Sequence, residues 1–267
     1  MDGALIAGIV NVTPDSFSDG GQFRDPAAAV AHALRLLDEG ADWLDVGGES
    51  TRPGATAVSA EVEVARVEPV VRGIVAARPG VTVSVDTRRA SVAEAACRAG
   101  ASVVNDVSAL ADPAMPAVVA RHEAQVVLMH MRGTPRTMQR DTAYADLLGE
   151  VIESLRERAL VAQRAGIPQR DILLDPGVGF GKAPADNPAL IAGLPRLAAL
   201  GYRTFVGASR KRFIGQLTGV ERAADRVFGS VGAALAAAAA GADVIRVHDV
   251  AATRQALTVF QACRAQR

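Results

Sequence analysis

"AAAAGADVIRVHDV", residues 237–250, contains a phrase that the chain repeats, and the repeat decides the fold. An alanine-rich, helix-compatible run ends in a glycine, which suits the left-handed backbone that closes a helix. A short polar spacer follows, then an apolar, β-branched run fit for a strand buried on both faces, then polar residues. "LLDEGADWLDV" (36–46) and "ACRAGASVVNDV" (96–107) share these parts, and looser copies stand at "RAGIPQRDILLD" (164–175) and "LAALGYRTFVG" (197–207). Helices and strands alternating through short connectors imply parallel strands and right-handed crossovers.

Eight strands are expected, at about 5–10, 43–46, 81–85, 102–105, 125–129, 172–174, 203–207 and 244–247. Amphipathic helices fill the gaps, as in "DPAAAVAHALRLLDEG" (25–40), with Asp25 as N-cap and Pro26 at the first helical position. Eight such units predict a TIM (β/α)8 barrel, a single domain over residues 1–267, because that fold needs ~250 residues. The alternative is an open doubly wound sheet. No dinucleotide glycine fingerprint follows the first strand, where "GIVNVTPD" (8–15) stands, and this favours the barrel.

Lys plus Arg and Asp plus Glu both count 29, so the formal charge is zero. That argues against broad binding to nucleic acid or a membrane surface, which needs a basic excess. Cys97 and Cys263 lie far apart in helix-like segments and fit neither a disulfide framework nor a zinc site; buried thiols in a reducing cytoplasm are expected. The apolar stretch 231–245 is broken by Gly232 and Gly241 and reads as a helix plus a strand, not a membrane span. No secretory signal is legible, so a soluble cytoplasmic protein is expected.

Read to their C-terminal ends, the strands deliver Asn11, Asp45, Asp86, Asn105, His130, Asp175, Ser209, and Arg246 with His248. Asp and Asn could serve as caps there, but Arg and His are poor caps. In a barrel these residues converge on the face where chemistry is done. The connections at 11–25 and 47–59 exceed the usual run of about 2–6 residues and are rich in Gly, Pro, Ser and Asp. No nucleophile triad and no close set of metal ligands is visible. "SRKRFIG" (209–215) opens a helix with Ser209 as a plausible N-cap, placing backbone N–H groups and Lys211 before an anion or carbonyl. Amides and carboxylates beside Arg52, Lys211, Arg246 and His248 point to a two-part substrate. One part is a flat heterocycle with an N–H edge that a carboxylate can grip, and the other a phosphate or pyrophosphate, with Mg²⁺ a candidate companion.

"LLDPGVGFGK" (173–182) looks like a phosphate loop but fails as one: Pro176 stands where a glycine is needed and Ala183 where Ser or Thr is needed. It reads instead as the sixth strand delivering Asp175 to the barrel mouth, with Phe180 as a wall and Lys182 unassigned. His130 is open between a core hydrogen bond and the rim of the site. His32 and His122 read as surface or helix-end residues, Trp43 as packing, and "MRGTPRTMQR" (131–140) as a solvated rim.

"NVTPDSFSDGG", "DVGGESTRPG", "SVDT", "NDV", "LMHM", "LDPGVGFGK", "GASRKRFIG" and "IRVHDV" follow one another over nearly the whole chain. In order and spacing this set closely resembles dihydropteroate synthase. The resemblance implies a TIM-barrel transferase of folate biosynthesis, a sulfonamide target and homodimer, that condenses 6-hydroxymethyl-7,8-dihydropterin pyrophosphate with p-aminobenzoate. It implies that Asp86, Asn105, Asp175 and Lys211 grip the pterin, and that Asn11 helps hold Mg²⁺ on the pyrophosphate. Arg52, Arg246 and His248 would neutralise the pyrophosphate. Thr51 and Asp45 match second-loop positions near the pterin and its leaving group. Phe180, Pro53, Ser209 and Lys211 would line the p-aminobenzoate slot, and Asp19 would close over the reacting groups. An SN1-like substitution is expected, with Asp86, Asp175, Lys211, Asp19 and Arg246 as its catalytic set.

Departures from the family pattern are a short stretch before the first strand, Arg212 where several relatives have serine, and Val178 where Phe or Leu often occurs. "GGESTRPG" is present, unlike in the plasmid-borne sulfonamide-resistance relatives. Two alternatives stay open: a methyltetrahydrofolate-binding methyltransferase barrel, which would not need the Arg52, Arg246 and His248 set, and a catalytically silent pterin-binding paralogue.

Overall fold

Period-two alternation within short apolar strands lets one face of each strand build the barrel interior while the other meets the helices. The computed structural model describes residues 3–13, 25–51 and 57–265. Its strands are β1 (Leu5–Asn11), β2 (Trp43–Gly47), β3 (Thr82–Asp86), β4 (Val103–Asp106), β5 (Gln125–Met129), β6 (Ile172–Asp175), β7 (Arg203–Val206) and β8 (Val244–Val247). All are parallel and close into a barrel in chain order, β1 pairing with both β2 and β8. The barrel is borne out, and no expected strand end is off by more than one residue.

The described helices are α1 (Pro26–Asp38), α2 (Ala60–Ala77), α3 (Ala90–Ala99), α4 (Met115–Arg121), α5 (Leu147–Arg164), α6 (Asp186–Ala192), α7 (Leu194–Ala198), α8 (Arg212–Thr218), α9 (Val227–Ala239) and α10 (Val250–Arg264). Asp25 caps α1 as expected, its Oδ1 accepting from the Ala27 N–H at 2.9 Å. The glycine of the repeated phrase is left-handed in all three close copies, with φ of 100°, 113° and 85° at Gly40, Gly100 and Gly241. A side chain with a Cβ resists that conformation, so the same residue ends the helix and turns the chain into the next strand.

Two apolar layers result. Outward-facing Ile6, Leu44, Val83, Val104, Leu128, Leu174 and Ile245 join the helices in one buried cluster. Inside, Ala7, Trp43, Val103, Val127, Leu173, Phe205 and Val244 form a separate buried cluster that plugs the barrel. Trp43 is packing, as expected, its ring 6.5 Å from that of Phe205. The expectation of two buried thiols is corrected: Cys97 is half-buried and Cys263 exposed. Cys263 lies on the outer face of the last helix, and burial pushes the Cys97 thiol up to about 11, where it is a poor nucleophile.

Removing the largest fully buried side chain of the plug leaves a void that the surrounding strands cannot close. Phe205→Ala is expected to lower the unfolding free energy by about 3–5 kcal/mol, read from urea denaturation.

Candidate active site

Two residues beyond the apolar plug, the inward positions turn polar. Asp45 follows Trp43, Asp86 follows Ser84, Asn105 follows Val103, Asp175 follows Leu173 and Arg246 follows Val244. Their side chains meet across the interior. The Asn105 Nδ2 donates to Asp45 Oδ2 at 3.2 Å, and Arg246 donates from Nε to the same oxygen and from Nη2 to Asp86 Oδ2 at 3.0 Å. Asp45 is therefore inside β2 and not on the second loop, where the family pattern had placed it. Arg246 likewise is drawn into the barrel as the counter-ion of two carboxylates. The apolar plug beneath offers these charges no partner on that side, so they pair with one another.

Burial pushes the Asp86 carboxyl up to about 7; Arg246 pulls against that shift and Asp45 adds to it. Burial raises Asp175 too, opposed by Lys211 and by the Gly177 N–H that Asp175 Oδ1 accepts at 2.7 Å. Arg246 pays for its burial and is still held above its usual value by Asp45 and Asp86. Two acceptors in this layer, Asp45 Oδ1 and Asp86 Oδ1, are buried without a partner among the described residues. Unpaired buried acceptors are costly, so they mark where a ligand with N–H donors gains most.

The β6 loop and the β7 loop close one side. Lys211 donates its Nζ to the Val178 carbonyl and lies 4.3 Å from the centroid of the Phe180 ring. Burial draws its ammonium down to about 8, with Asp175 resisting. Ser209 is not a helix cap: α8 begins at Arg212 with Lys211 at its cap position and no capping side chain. Its hydroxyl instead accepts from the His248 N–H at 3.2 Å and meets His248 Nδ1 at 3.0 Å, stitching the β7 and β8 ends together. Asn11 ends β1 half-buried, and Thr51 is half-buried beyond β2. The expectations for Asp19, Arg52 and Pro53 lie outside the described residues.

Sequence reasoning missed the groups that hold this wall. Arg210 takes a left-handed φ of 58°, pairs with Asp249 through Nε at 3.0 Å, and donates its N–H to Ser230 Oγ at 2.9 Å. "SRKR" is thus no uniform basic face: Arg210 is tied down, Lys211 turns inward and Arg212 is exposed. Glu49 and Glu63, with Arg88 and Arg89, knit the foot of the second loop to α2 and α3. His130 proves to be a core residue, bonded to Lys182. The 131–140 segment is the rim expected, with Arg136 and Arg140 exposed and Arg132 paired with Glu150. Among the described residues, no group of three or more His, Cys, Asp or Glu could hold a metal ion.

Residues 7–248 match the family described as pterin binding enzyme. The dihydropteroate synthase of Neisseria meningitidis serogroup B is 50% identical over 268 residues, covering 98% of this chain and 93% of that protein. Among solved structures, Xanthomonas albilineans dihydropteroate synthase with 4-aminobenzoic acid superposes with a TM-score of 0.93 at 54% identity, over 99% of this chain and 94% of that one. The same enzyme in complex with 7,8-dihydropteroate gives a TM-score of 0.90 at 51% identity, over 99% and 95%. The Yersinia pestis dihydropteroate synthase with a sulfonamide drug complex gives 0.94 at 43% identity, over 99% and 96%.

The Asp86 shift has a stability consequence. Its folded pKa of about 7 lies above the ordinary 3.8, so the native state holds the proton more tightly. The resulting stabilisation is complete below the ordinary value and is lost as pH rises through the folded one. Asp86→Asn removes this titration. Its unfolding free energy, measured by urea denaturation, is expected to gain on the wild type steadily from pH 3.8 to about 7.

Proposed function

The chain belongs to the pterin binding enzyme family, and we propose that it acts there as a dihydropteroate synthase of folate biosynthesis. It joins 6-hydroxymethyl-7,8-dihydropterin pyrophosphate to p-aminobenzoate, giving 7,8-dihydropteroate and pyrophosphate. The observation that carries this reading is the polar layer above the plug, in which two buried carboxylate oxygens have no hydrogen-bond partner among the described residues. A pterin presents an N–H edge that such acceptors could pair with, beside Asp86, Asn105, Asp175 and Lys211.

In this mechanism the residues work mainly on the leaving group and on the developing cation. An aryl amine is neutral and nucleophilic near pH 7, so general-base help is secondary, and the barrier lies in pyrophosphate departure. Asp86 and Asp175, held without water, favour positive charge spread over the pterin and its methylene, which supports SN1-like substitution. Arg246, pinned between Asp45 and Asp86, keeps that pair of carboxylates in place while its charge faces the departing anion, helped by His248 and Arg52. Phe180 beneath Lys211, with Ser209, would line the slot for the aromatic amine. Roles for Pro53 and Asp19 there rest on the family resemblance alone. A sulfonamide drug would occupy the same slot.

A resident metal cage is not what these residues offer, but one amide oxygen at the end of β1 suits Mg²⁺ carried in on pyrophosphate, whose other positions phosphate and water fill. Asn11 is the residue that would hold it. Bound there, Mg²⁺ would offset charge on the leaving oxygens. A cytoplasmic homodimer completes the proposal. Balanced charge and unpaired cysteines suit the cytoplasm. Leu217 of α8, Phe228 of α9 and Val259 of α10 are 69%, 90% and 64% exposed, and α9 packs against both other helices. Apolar surface of that kind is better covered by a second copy than by water.

Supplied with the pterin pyrophosphate, p-aminobenzoate and Mg²⁺, the wild type is expected to form dihydropteroate, and Lys211→Ala to lose at least about a hundredfold in kcat/KM. With p-aminobenzoate omitted, slow pyrophosphate release should persist; none at all would rule out the SN1-like course. Phe228→Asp is expected to shift the sedimentation coefficient from dimer to monomer.

A further inference from the structure

Lys182 closes the "LLDPGVGFGK" stretch, and the site described above makes no use of it. It is 2% exposed, and no carboxylate bonds to it. Its Nζ instead sits among three backbone carbonyls, those of His130 and Pro176 at 2.9 Å and that of Gly177 at 3.0 Å, and lies 2.9 Å from His130 Nδ1. Three backbone carbonyls from two different strand ends converge on one nitrogen as they would on a small bound cation. An ammonium, with three N–H donors, answers them; a neutral amine would leave one carbonyl without a donor.

What the cage holds is the wall of the site. Gly177, whose carbonyl binds Lys182, donates its N–H to Asp175 Oδ1. The next residue, Val178, gives its carbonyl to Lys211. Phe180, two further on, carries Lys211 above its ring. Outside the cage, and besides the Lys211 contact to Val178, the same loop is tied by Gly179 N–H to Asn187 Oδ1, by the Gly181 carbonyl to the Tyr144 hydroxyl at 2.8 Å, and by the Gly179 carbonyl to Gln139 at 3.4 Å. Gly177 fits because it has no side chain: a Cβ there would stand 2.0 Å from the His130 carbonyl oxygen and 2.9 Å from Lys182 Nζ, at a φ of 70°.

We propose that Lys182 is a positioning residue of the reaction, a built-in cation that folds the β6 loop into the shape placing Asp175 for the pterin and Phe180 for the aryl amine. The inference rests on the dihydropteroate synthase reading of the site. Two neighbours are consistent with it. Burial and the adjacent ammonium push the His130 imidazole down to about 3, so it stays neutral beside Lys182. Burial draws Lys182 itself down to about 7, against the pull of Asp175.

The test replaces Lys182 by Met, which keeps length and removes charge, and measures kcat and both KM values on protein shown by circular dichroism and thermal melting to be folded. A misplaced loop should raise both KM values and lower kcat/KM by about 10–100-fold. Folded Lys182→Met with both KM values unchanged overturns the proposal, since a purely structural role reduces only the active fraction and hence kcat. Where Lys182→Met fails to fold, Lys182→Ala is refolded with n-propylammonium or, at equal ionic strength, tetramethylammonium, which has no N–H. Activity restored by the first alone supports the proposal; no recovery, or equal recovery from both, overturns it. Wild-type enzyme that makes no dihydropteroate would instead sink the functional reading and leave the loop geometry standing.

Discussion

Arg246 reaches from β8 across the barrel to Asp45 on β2 and Asp86 on β3, above a plug that excludes water. One guanidinium facing two carboxylates in such a place leaves a local excess of negative charge. Burial is the main reason Asp86 titrates high, with the Asp45 charge adding to it, and two carboxylate oxygens there have no hydrogen-bond partner among the described residues. A buried pair alone is weak evidence for stability, because desolvation cancels much of the attraction. Its value here is different: it fixes where an N–H-rich cationic ring can be stabilised. The site is thus part of the barrel's own charge balance, built on strands that cannot shift without breaking the ladder.

Around this fixed floor the walls are loops, and each is restrained by ions that do not touch the floor. Arg210 with Asp249 holds the turn that carries Ser209 and Lys211. Arg89 with Glu49 and Glu63 anchors the foot of the second loop. Lys182 gathers three carbonyls beneath the β6 loop. In each case a charged side chain neutralises backbone or carboxylate groups that a tight turn would otherwise leave unpaired. On the proposed reading, the rigid strands supply the pterin contacts and the tied loops the aryl amine wall, so the two substrates would be held by different means.

The barrel was legible because helix, glycine, strand and polar end recur as one phrase, and each part has a local cause. Gly40, Gly100 and Gly241 end helices wherever they stand, and β-branched runs such as "SVV" and "DVI" suit only a pleated surface. The polar residues at the strand ends were legible for the same reason. What misled was depth. Asp45 and Arg246 lie two residues or fewer from the ends of their strands, a difference that decides between mouth and interior but leaves no mark in local pattern. Ser209 misled as a cap because it stands before a helix, while His248, far away in the chain, claims its hydroxyl.

By itself, then, the sequence determined the fold, the ring of polar residues and the family it points to, because periodicity, turn chemistry and short motifs are properties of neighbours along the chain. Only the tertiary structure decided who pairs with whom. Arg246 with Asp45 spans 201 residues of chain, Arg210 with Asp249 spans 39, and Lys182 with His130 spans 52. Such pairings are set by barrel closure, which brings the first and last strands together, and by the absence of water inside it. No local pattern encodes either condition.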